Sequence, residues 1–250
     1  MRRGPGSLYR RWLSLRYLAT RDRRDVTGFL RDRAVRPGLA ARIDLLRRFT
    51  AVTNQVRGYH TLGEMLAVSR EILARERPVV LEAGCGHGSS TAKLSLAVAA
   101  AGGRLIVCDS FRGLPDNREE HTHMDGRRIE FRAGAFRATL PQVRRTVERL
   151  GAPEVVSFHK GWFADILPGL ETPPLDVVVL DVDLLESTRV CLRALVPRLA
   201  AGGVLFTLDG QLRATHALIG SPAFWRDEVG VAPPRIEGLG AAKLLVIRAP

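Results

Sequence analysis

Two aspartates separated by one residue, Asp181 and Asp183, directly follow the apolar run 177–180 in the segment PLDVVVLDVD. Alternate residues of an extended chain point to the same side, so the two carboxylates are expected to share one face. Their repulsion would be relieved by a divalent cation or by a shared proton. A third carboxylate, Asp209, ends the next apolar run, GGVLFTLDG. The three acids predict a metal site or a base for a substrate hydroxyl; the structural alternative is a helix cap at each position.

A glycine-rich loop within LEAGCGHGSS follows the strand-like run 78–83 and forms a second candidate site. Glycines at 84, 86 and 88 let backbone N–H groups approach a ligand, and a helix that begins near Ser89 or Ser90 adds its positive N-terminal end. The third glycine comes one residue earlier than in the dinucleotide fingerprint Gly-x-Gly-x-x-Gly. The spacing therefore disfavours NAD and favours S-adenosylmethionine (SAM).

Further residues at predicted strand ends suit an adenosine cofactor. Glu82 precedes the glycine turn and could position the methionine end of SAM, unless it is a solvated strand edge. Asp109 ends the apolar run RLIVC, where a carboxylate can accept both ribose hydroxyls. Trp162 could stack on the adenine with Lys160 and Gly161 at its edge, or belong to the core. The candidate cofactor-binding residues are Thr61, Glu82, Gly84, Gly86, Gly88, Ser89, Ser90, Asp109, Ser110, Lys160, Gly161, Trp162 and Asp181.

Apolar runs alternate with helical patterns from residue 78 onward, which is typical of a parallel sheet with right-handed crossovers. Strands are predicted at 78–83, 104–109, 154–159, 175–181, 203–208, 234–238 and 243–248. The last two lie too close together for a crossover helix, so they should pair as a hairpin. This predicts an α/β fold with a seven-stranded, mostly parallel sheet whose last strand is antiparallel. Ligands of such sheets bind beyond the carboxyl ends of the strands.

The N-terminal segment carries most of the positive charge. Residues 1–50 contain 14 arginines and four acids, and the whole chain has a net charge of +12. Helices are predicted at 7–20, which would be basic and amphipathic, and at 39–56 and 62–75. We expect residues 1–58 to form a helical arm and residues 59–250 the catalytic domain. The arm could pack on that domain or on a second subunit, dock on an anionic membrane, or bind RNA or an acidic carrier.

Composition narrows the class of protein. The 250 residues, 46% of them apolar, suffice for one α/β domain with an N-terminal extension. A run of 18 uncharged apolar residues and a secretory signal are both lacking, so a cytoplasmic protein is expected. The three cysteines have no CxxC spacing, which argues against a zinc site or a disulfide framework. Arginine bias alone is weak evidence for nucleic acid, so a small-molecule acceptor is the expected partner.

Three motifs carry a family resemblance: DSFRGLP at 109–115, HKGWFADILP at 159–168 and VLDVDLLEST at 179–188. In this order and spacing they resemble the macrocin O-methyltransferase family, over residues 59–248. Members methylate sugar hydroxyls of macrolides and related natural products. The resemblance implies a Rossmann-like class I methyltransferase fold, SAM as donor, a glycosylated acceptor and a homo-oligomer.

The resemblance also implies roles for the carboxylates. Asp181 matches a ligand of a magnesium ion that binds adjacent substrate hydroxyls, Asp183 matches the general base, and Asp209 matches a further ligand. This chain departs from the family at Leu208, where a second consecutive aspartate is usual, and at Gly210, where a bulky aromatic residue is usual. Magnesium can keep waters, so two carboxylates with substrate oxygens could hold it at reduced affinity.

Other interpretations stay open. A metal-free site could use His121, His123 or His216 as the base, because imidazole titrates near neutrality. The chain could instead methylate RNA or a carrier-bound substrate, or bind SAM without catalysis. The polar segment 112–135 is too long for an ordinary connection and predicts a mobile lid over the acceptor.

Overall fold

The computed structural model describes residues 22–240 and 242–249, so the predicted helix 7–20 lies outside the described residues. The α-helices are α1 (Arg23–Arg31), α2 (Leu39–Thr53), α3 (Leu62–Leu73), α4 (Ser89–Ala100), α5 (Leu140–Leu150), α6 (Phe163–Ile166), α7 (Leu185–Leu195) and α8 (Arg213–Ile219). The strands are β1 (Val79–Ala83), β2 (Arg104–Asp109), β3 (His121–Thr122), β4 (Arg128–Ile129), β5 (Val156–Lys160), β6 (Leu175–Leu180), β7 (Leu199–Thr207), β8 (Arg235–Glu237) and β9 (Leu245–Arg248). No helix in the described ranges is long and apolar enough to cross a membrane.

The predicted seven-stranded sheet is confirmed, with strand order β5-β2-β1-β6-β7-β9-β8. Strands β5, β2, β1, β6 and β7 pair in parallel, whereas β9 runs antiparallel to both β7 and β8. Ala83 at the end of β1 lies opposite Cys108 on one side and Leu180 on the other. The carboxyl ends of β1, β2 and β6 are therefore flush, and the loops that follow them meet at one edge of the sheet.

Helices cover both faces of the sheet, because its central strands are apolar on both sides. In β1, Val80 joins the core cluster formed with α2, α3 and α4, while Leu81 joins the opposite cluster formed with α7 and the π-helical turn Phe224–Val229. Such two-sided burial explains why the strands are continuous apolar runs rather than alternating ones.

Two elements were absent from the sequence interpretation, helix α1 and the hairpin β3–β4. Helix α1 buries Phe29 completely, and α2 contributes Leu45 and Phe49 to the same core as the sheet. The hairpin β3–β4 lies within the segment predicted as a lid. The division into a 1–58 arm and a 59–250 domain stays a prediction; the described helices α1 and α2 share the core of the sheet.

Candidate active site

The loop between β1 and α4 makes a tight turn that needs glycine. Gly84, Gly86 and Gly88 have φ angles of 85°, 48° and 81°. A Cβ atom on Gly84 would lie 2.0 Å from the backbone oxygen of Asp181, so only glycine fits there. Gly88 is the N-cap of α4, and the predicted helix start at Ser89 is confirmed. The turn therefore presses directly against the end of β6.

Asp109, the last residue of β2, holds this loop in place. Its Oδ2 accepts a hydrogen bond from the Cys85 N–H at 2.8 Å, and its Oδ1 accepts one from the Phe111 N–H at 2.6 Å. Asp109 also lines the cavity beyond the sheet. The carboxylate is thus fixed at the cavity wall, and its role in binding a ribose stays a prediction.

Glu82 is completely buried beneath the loop. Its Oε2 accepts a hydrogen bond from the Thr91 hydroxyl at 2.6 Å. Burial raises the pKa of Glu82 to about 8, although hydroxyl hydrogen bonds oppose the rise. A positively charged group nearby would favour its ionised form.

The three acids predicted from the sequence come together at the ends of β6 and β7. One carboxylate oxygen from each of Asp181, Asp183 and Asp209 lies within 4.8 Å of the others. Asp209 Oδ2 also accepts hydrogen bonds from the N–H groups of Val182 at 3.0 Å and Asp183 at 3.1 Å. These bonds help hold Asp183 in a left-handed conformation with φ of 60°. The backbone after β6 therefore wraps around the Asp209 side chain.

Electrostatics at this cluster disfavour three ionised carboxylates. Burial raises the pKa of Asp181 to about 7, and Asp209 adds to the rise. Burial also raises the pKa of Asp183 well above its ordinary value, with further contributions from Asp209 and Asp181. Burial raises the pKa of Asp209, against the opposing effect of the two backbone N–H donors. Full ionisation of the cluster therefore needs added positive charge.

Leu208 does not face this cluster. It is completely buried and belongs to the apolar cluster on the α2, α3 and α4 side of the sheet. Gly210 fits tightly, because a Cβ there would lie 2.7 Å from the Lys243 carbonyl oxygen and 2.6 Å from Leu245 Cγ. At the two positions that depart from the family pattern, Leu208 therefore packs in the core, and Gly210 allows the backbone of Lys243 to approach closely.

We expect Leu208→Asp to lower the free energy of unfolding by about 3–5 kcal/mol, because it buries an uncompensated carboxylate in an apolar layer. Leu208→Met conserves the volume and should cost less than about 1.5 kcal/mol. Urea denaturation of the three proteins without metal measures both changes. A Leu208→Asp variant as stable as the parent would show that the side chain at this position can turn into the cavity.

A cavity of about 630 Å³ joins the glycine loop to the acidic cluster. Residues of the segment 112–136 form the wall opposite the sheet edge, so this segment covers the cavity, as the sequence predicts. Glu119 anchors that segment by accepting hydrogen bonds from the N–H groups of Leu185 at 2.7 Å and Glu186 at 3.1 Å, at the start of α7. Met124 N–H donates to the Gln211 carbonyl at 2.8 Å. Whether the segment moves stays a prediction.

Aromatic side chains form one wall of the cavity. The Tyr59 and Phe136 rings meet edge to face with centroids 4.9 Å apart, and Phe131 lies 6.1 Å from Phe136. Arg57 lies over the Tyr59 ring at 5.0 Å. Sequence reasoning missed this wall because its members come from two distant loops without regular spacing.

The predicted site residues divide into those that line the cavity and those that do not. Those that line the cavity are Gly84, Gly86, Ser89, Ser90, Asp109, Ser110, His123, Gly161, Trp162, Asp181, Asp183 and Asp209. Thr61 instead caps α3, where its hydroxyl accepts a hydrogen bond from the Glu64 N–H at 3.2 Å. His216 lies on α8 and its Nε2 accepts a hydrogen bond from the Gly240 N–H at 2.7 Å. Glu82, Gly88, Lys160 and His121 are likewise outside the lining.

Both expected cofactors fit this donor set. The Ser89 hydroxyl is buried at the cavity wall without a hydrogen-bond partner among the described residues, which suits a polar ligand above the glycine loop. The clustered aspartate oxygens are the hard donors that Mg²⁺ prefers.

Comparison with known proteins identifies the family. The family model described as macrocin-O-methyltransferase (TylF) matches residues 52–229. The chain is 32% identical over 202 residues to the 8-demethyl-8-(2,3-dimethoxy-alpha-L-rhamnosyl)-tetracenomycin-C 4'-O-methyltransferase of Streptomyces olivaceus, covering 78% of this chain and 76% of that protein. It is 35% identical over 105 residues to the demethyldecarbamoylnovobiocin O-methyltransferase of Streptomyces niveus, covering 41% of this chain and 40% of that protein.

Solved structures support the fold. The O-methyltransferase NovP has a TM-score of 0.55 at 21% identity, covering 84% of this chain and 80% of that one. The calicheamicin methyltransferase CalS11 has a TM-score of 0.54 at 16% identity, covering 99% of this chain and 94% of that one. The family match spans the glycine loop and all three aspartates of the cavity. The chain therefore belongs to the macrocin O-methyltransferase family and is a SAM-dependent O-methyltransferase.

Proposed function

We propose that this enzyme methylates a hydroxyl of a sugar carried by a small natural product. The observation that carries the proposal is one continuous cavity with the glycine loop at one end and three aspartates beside it. The name of the relative from Streptomyces olivaceus gives its substrate as a rhamnosyl-bearing tetracenomycin C. A glycosylated acceptor of this class suits a cavity that combines carboxylates with an aromatic wall.

The chain's own residues have two tasks, since bound SAM supplies an activated methyl group. The glycine loop and Asp109 fix the cofactor, which aligns the methyl group with the acceptor oxygen. Asp183 then takes the proton of the hydroxyl as that oxygen is methylated. Asp183 must be ionised to act as a base; burial and the neighbouring aspartates raise its pKa and oppose that form, whereas the Lys243 ammonium lowers the pKa and favours it.

We assign Asp181 and Asp209 to a divalent cation, which would orient two adjacent sugar hydroxyls and lower the pKa of the one that reacts. The Asp209 carboxylate is held by two backbone N–H donors, and the main chain of Asp181 is fixed by its N–H bond to the Ala83 carbonyl. One carboxylate oxygen from each aspartate lies within 4.8 Å of the others, so one ion could contact more than one carboxylate.

The aromatic wall of Tyr59, Phe131 and Phe136 would receive the apolar part of the acceptor. Aromatic rings bind both flat aglycones and the C–H faces of sugars through buried apolar area. We therefore expect glycosides to be better acceptors than free sugars.

A methyl-transfer screen tests the reaction. The enzyme would be incubated with SAM and with rhamnosylated aromatic polyketides, other sugar diols or a catechol, in Mg²⁺ or in EDTA, and products read by mass spectrometry. We expect a mass gain of one methyl group on the sugar of a glycoside, and faster transfer in Mg²⁺. Calorimetry would report SAM binding separately.

SAM binding without transfer to any acceptor would instead favour a non-catalytic SAM-binding protein. Equal rates in Mg²⁺ and EDTA would remove the metal from the proposal while leaving the O-methyltransferase reaction in place.

A further inference from the structure

Lys243 is a charged side chain of the cavity wall to which the proposed reaction gives no direct role. It is one of three lysines in the chain and lies just before β9. It lines the same cavity as the three aspartates. Its Nζ donates a hydrogen bond to the Tyr59 carbonyl at 2.8 Å and lies 3.9 Å from the Glu64 carboxylate.

The backbone brings Lys243 to this place because position 210 is a glycine. Gly210 N–H donates to the Lys243 carbonyl at 2.9 Å. A side chain at 210 would collide with the carbonyls of Ala242 and Lys243, at 2.8 and 2.7 Å. The segment before β9 can therefore lie directly against the end of β7, beside Asp209.

We propose that Lys243 is a positioning residue that provides a built-in positive charge at the acidic cluster and thereby weakens its binding of a divalent cation. The proposal rests on the proposed function, since the cation site is the one assigned to Asp181 and Asp209. It adds that Lys243 sets the affinity of that site for a divalent cation.

Two physical arguments support this role. Three buried carboxylates within 4.8 Å repel one another, and a nearby ammonium relieves that repulsion without any ion from solution. Lys243 lines the same cavity wall as all three aspartates, and its carbonyl accepts the N–H of Gly210, the residue that follows Asp209. The same charge repels an incoming dication, so the ammonium that stabilises the metal-free cluster also weakens metal binding.

The test measures Mn²⁺ affinity of the full-length protein by electron paramagnetic resonance. Lys243→Met removes the charge, and Lys243→Arg retains it. Arg226→Met makes the same change in net charge at an exposed position outside the cavity lining. We expect Lys243→Met to bind Mn²⁺ about tenfold more tightly or better, with the other two variants close to the parent.

Thermal denaturation supplies a second measurement. Metal-free Lys243→Met should melt below the parent and recover when Mn²⁺ saturates it, because the ion then takes over the missing charge. A purely structural loss, such as the lost bond to Tyr59, would leave the rise in melting temperature on adding Mn²⁺ equal in Lys243→Met and in the parent. Arg226→Met should show neither effect.

Equal Mn²⁺ affinity in the parent and Lys243→Met would overturn the role of Lys243. It would leave the proposed methyl transfer intact, because that reaction is read from product formation. If neither protein binds Mn²⁺, both the role of Lys243 and the metal assignment fail, and transfer measured in EDTA still decides the reaction.

Discussion

Replacing Asp183 with asparagine is expected to lower kcat by about 10²- to 10⁴-fold, the usual contribution of a positioned general base. Asparagine keeps the shape of the side chain but cannot accept a proton from the hydroxyl. It also tolerates the left-handed backbone at this position, where φ is 60°, better than alanine would. The measurement is single-turnover methyl transfer at saturating SAM and acceptor.

Calorimetry would show whether the change is confined to chemistry. We expect Asp183→Asn to bind SAM like the parent, because Asp183 lies at the acceptor side of the cluster in our assignment. Asp227→Asn makes the same substitution at an exposed position outside the active-site cavity and should leave kcat unchanged. If Asp183→Asn turns over at the parental rate, the base must be sought elsewhere; among His121, His123 and His216, His123 lines the cavity and should be tested first.

Replacing Gly84 with alanine should lower the free energy of unfolding by about 3–5 kcal/mol. The new Cβ would sit 2.0 Å from the Asp181 carbonyl oxygen in a backbone with φ of 85°. Either β1 and β6 must separate or the loop must leave its place, and SAM binding should be lost with it. Urea denaturation and SAM calorimetry measure the two losses.

Gly86→Ala is the matched control in the same loop. Gly86 also has a positive φ, 48°, but a Cβ there would have only the Phe136 carbonyl oxygen at 4.0 Å as a neighbour. Its cost should be close to the left-handed backbone penalty alone, about 1–2 kcal/mol. Equal destabilisation by the two alanines would mean that the contact with Asp181 is not what requires glycine at position 84.

Residues next to predicted strand ends could be placed from the sequence because a parallel sheet brings those ends to one edge. Gly84, Asp109, Asp181 and Asp209 all follow apolar runs, and all line the cavity. Periodicity along the chain and the direction of the strands were enough to bring them together.

Residues on loops followed no such rule. Lys243 and the aromatic wall occupy loops whose course depends on what packs beneath them. Thr61 and His216 show the converse, because their side chains are used to cap α3 and to hold Gly240 instead of lining the cavity. Local hydrogen bonds determine where these two side chains point, and such bonds could not be predicted from residue type alone.

Local pattern was sufficient to predict the α/β class, the sheet with its antiparallel last strand, the glycine turn and the three carboxylates. Apolar runs form strands, and right-handed crossovers between parallel strands leave only a few possible topologies. Three outcomes emerged only in the folded chain: Leu208 enters the core, α1 and α2 join that core, and Gly210 admits Lys243 beside the acids. Those outcomes depend on contacts between segments far apart in the chain, which no local pattern encodes.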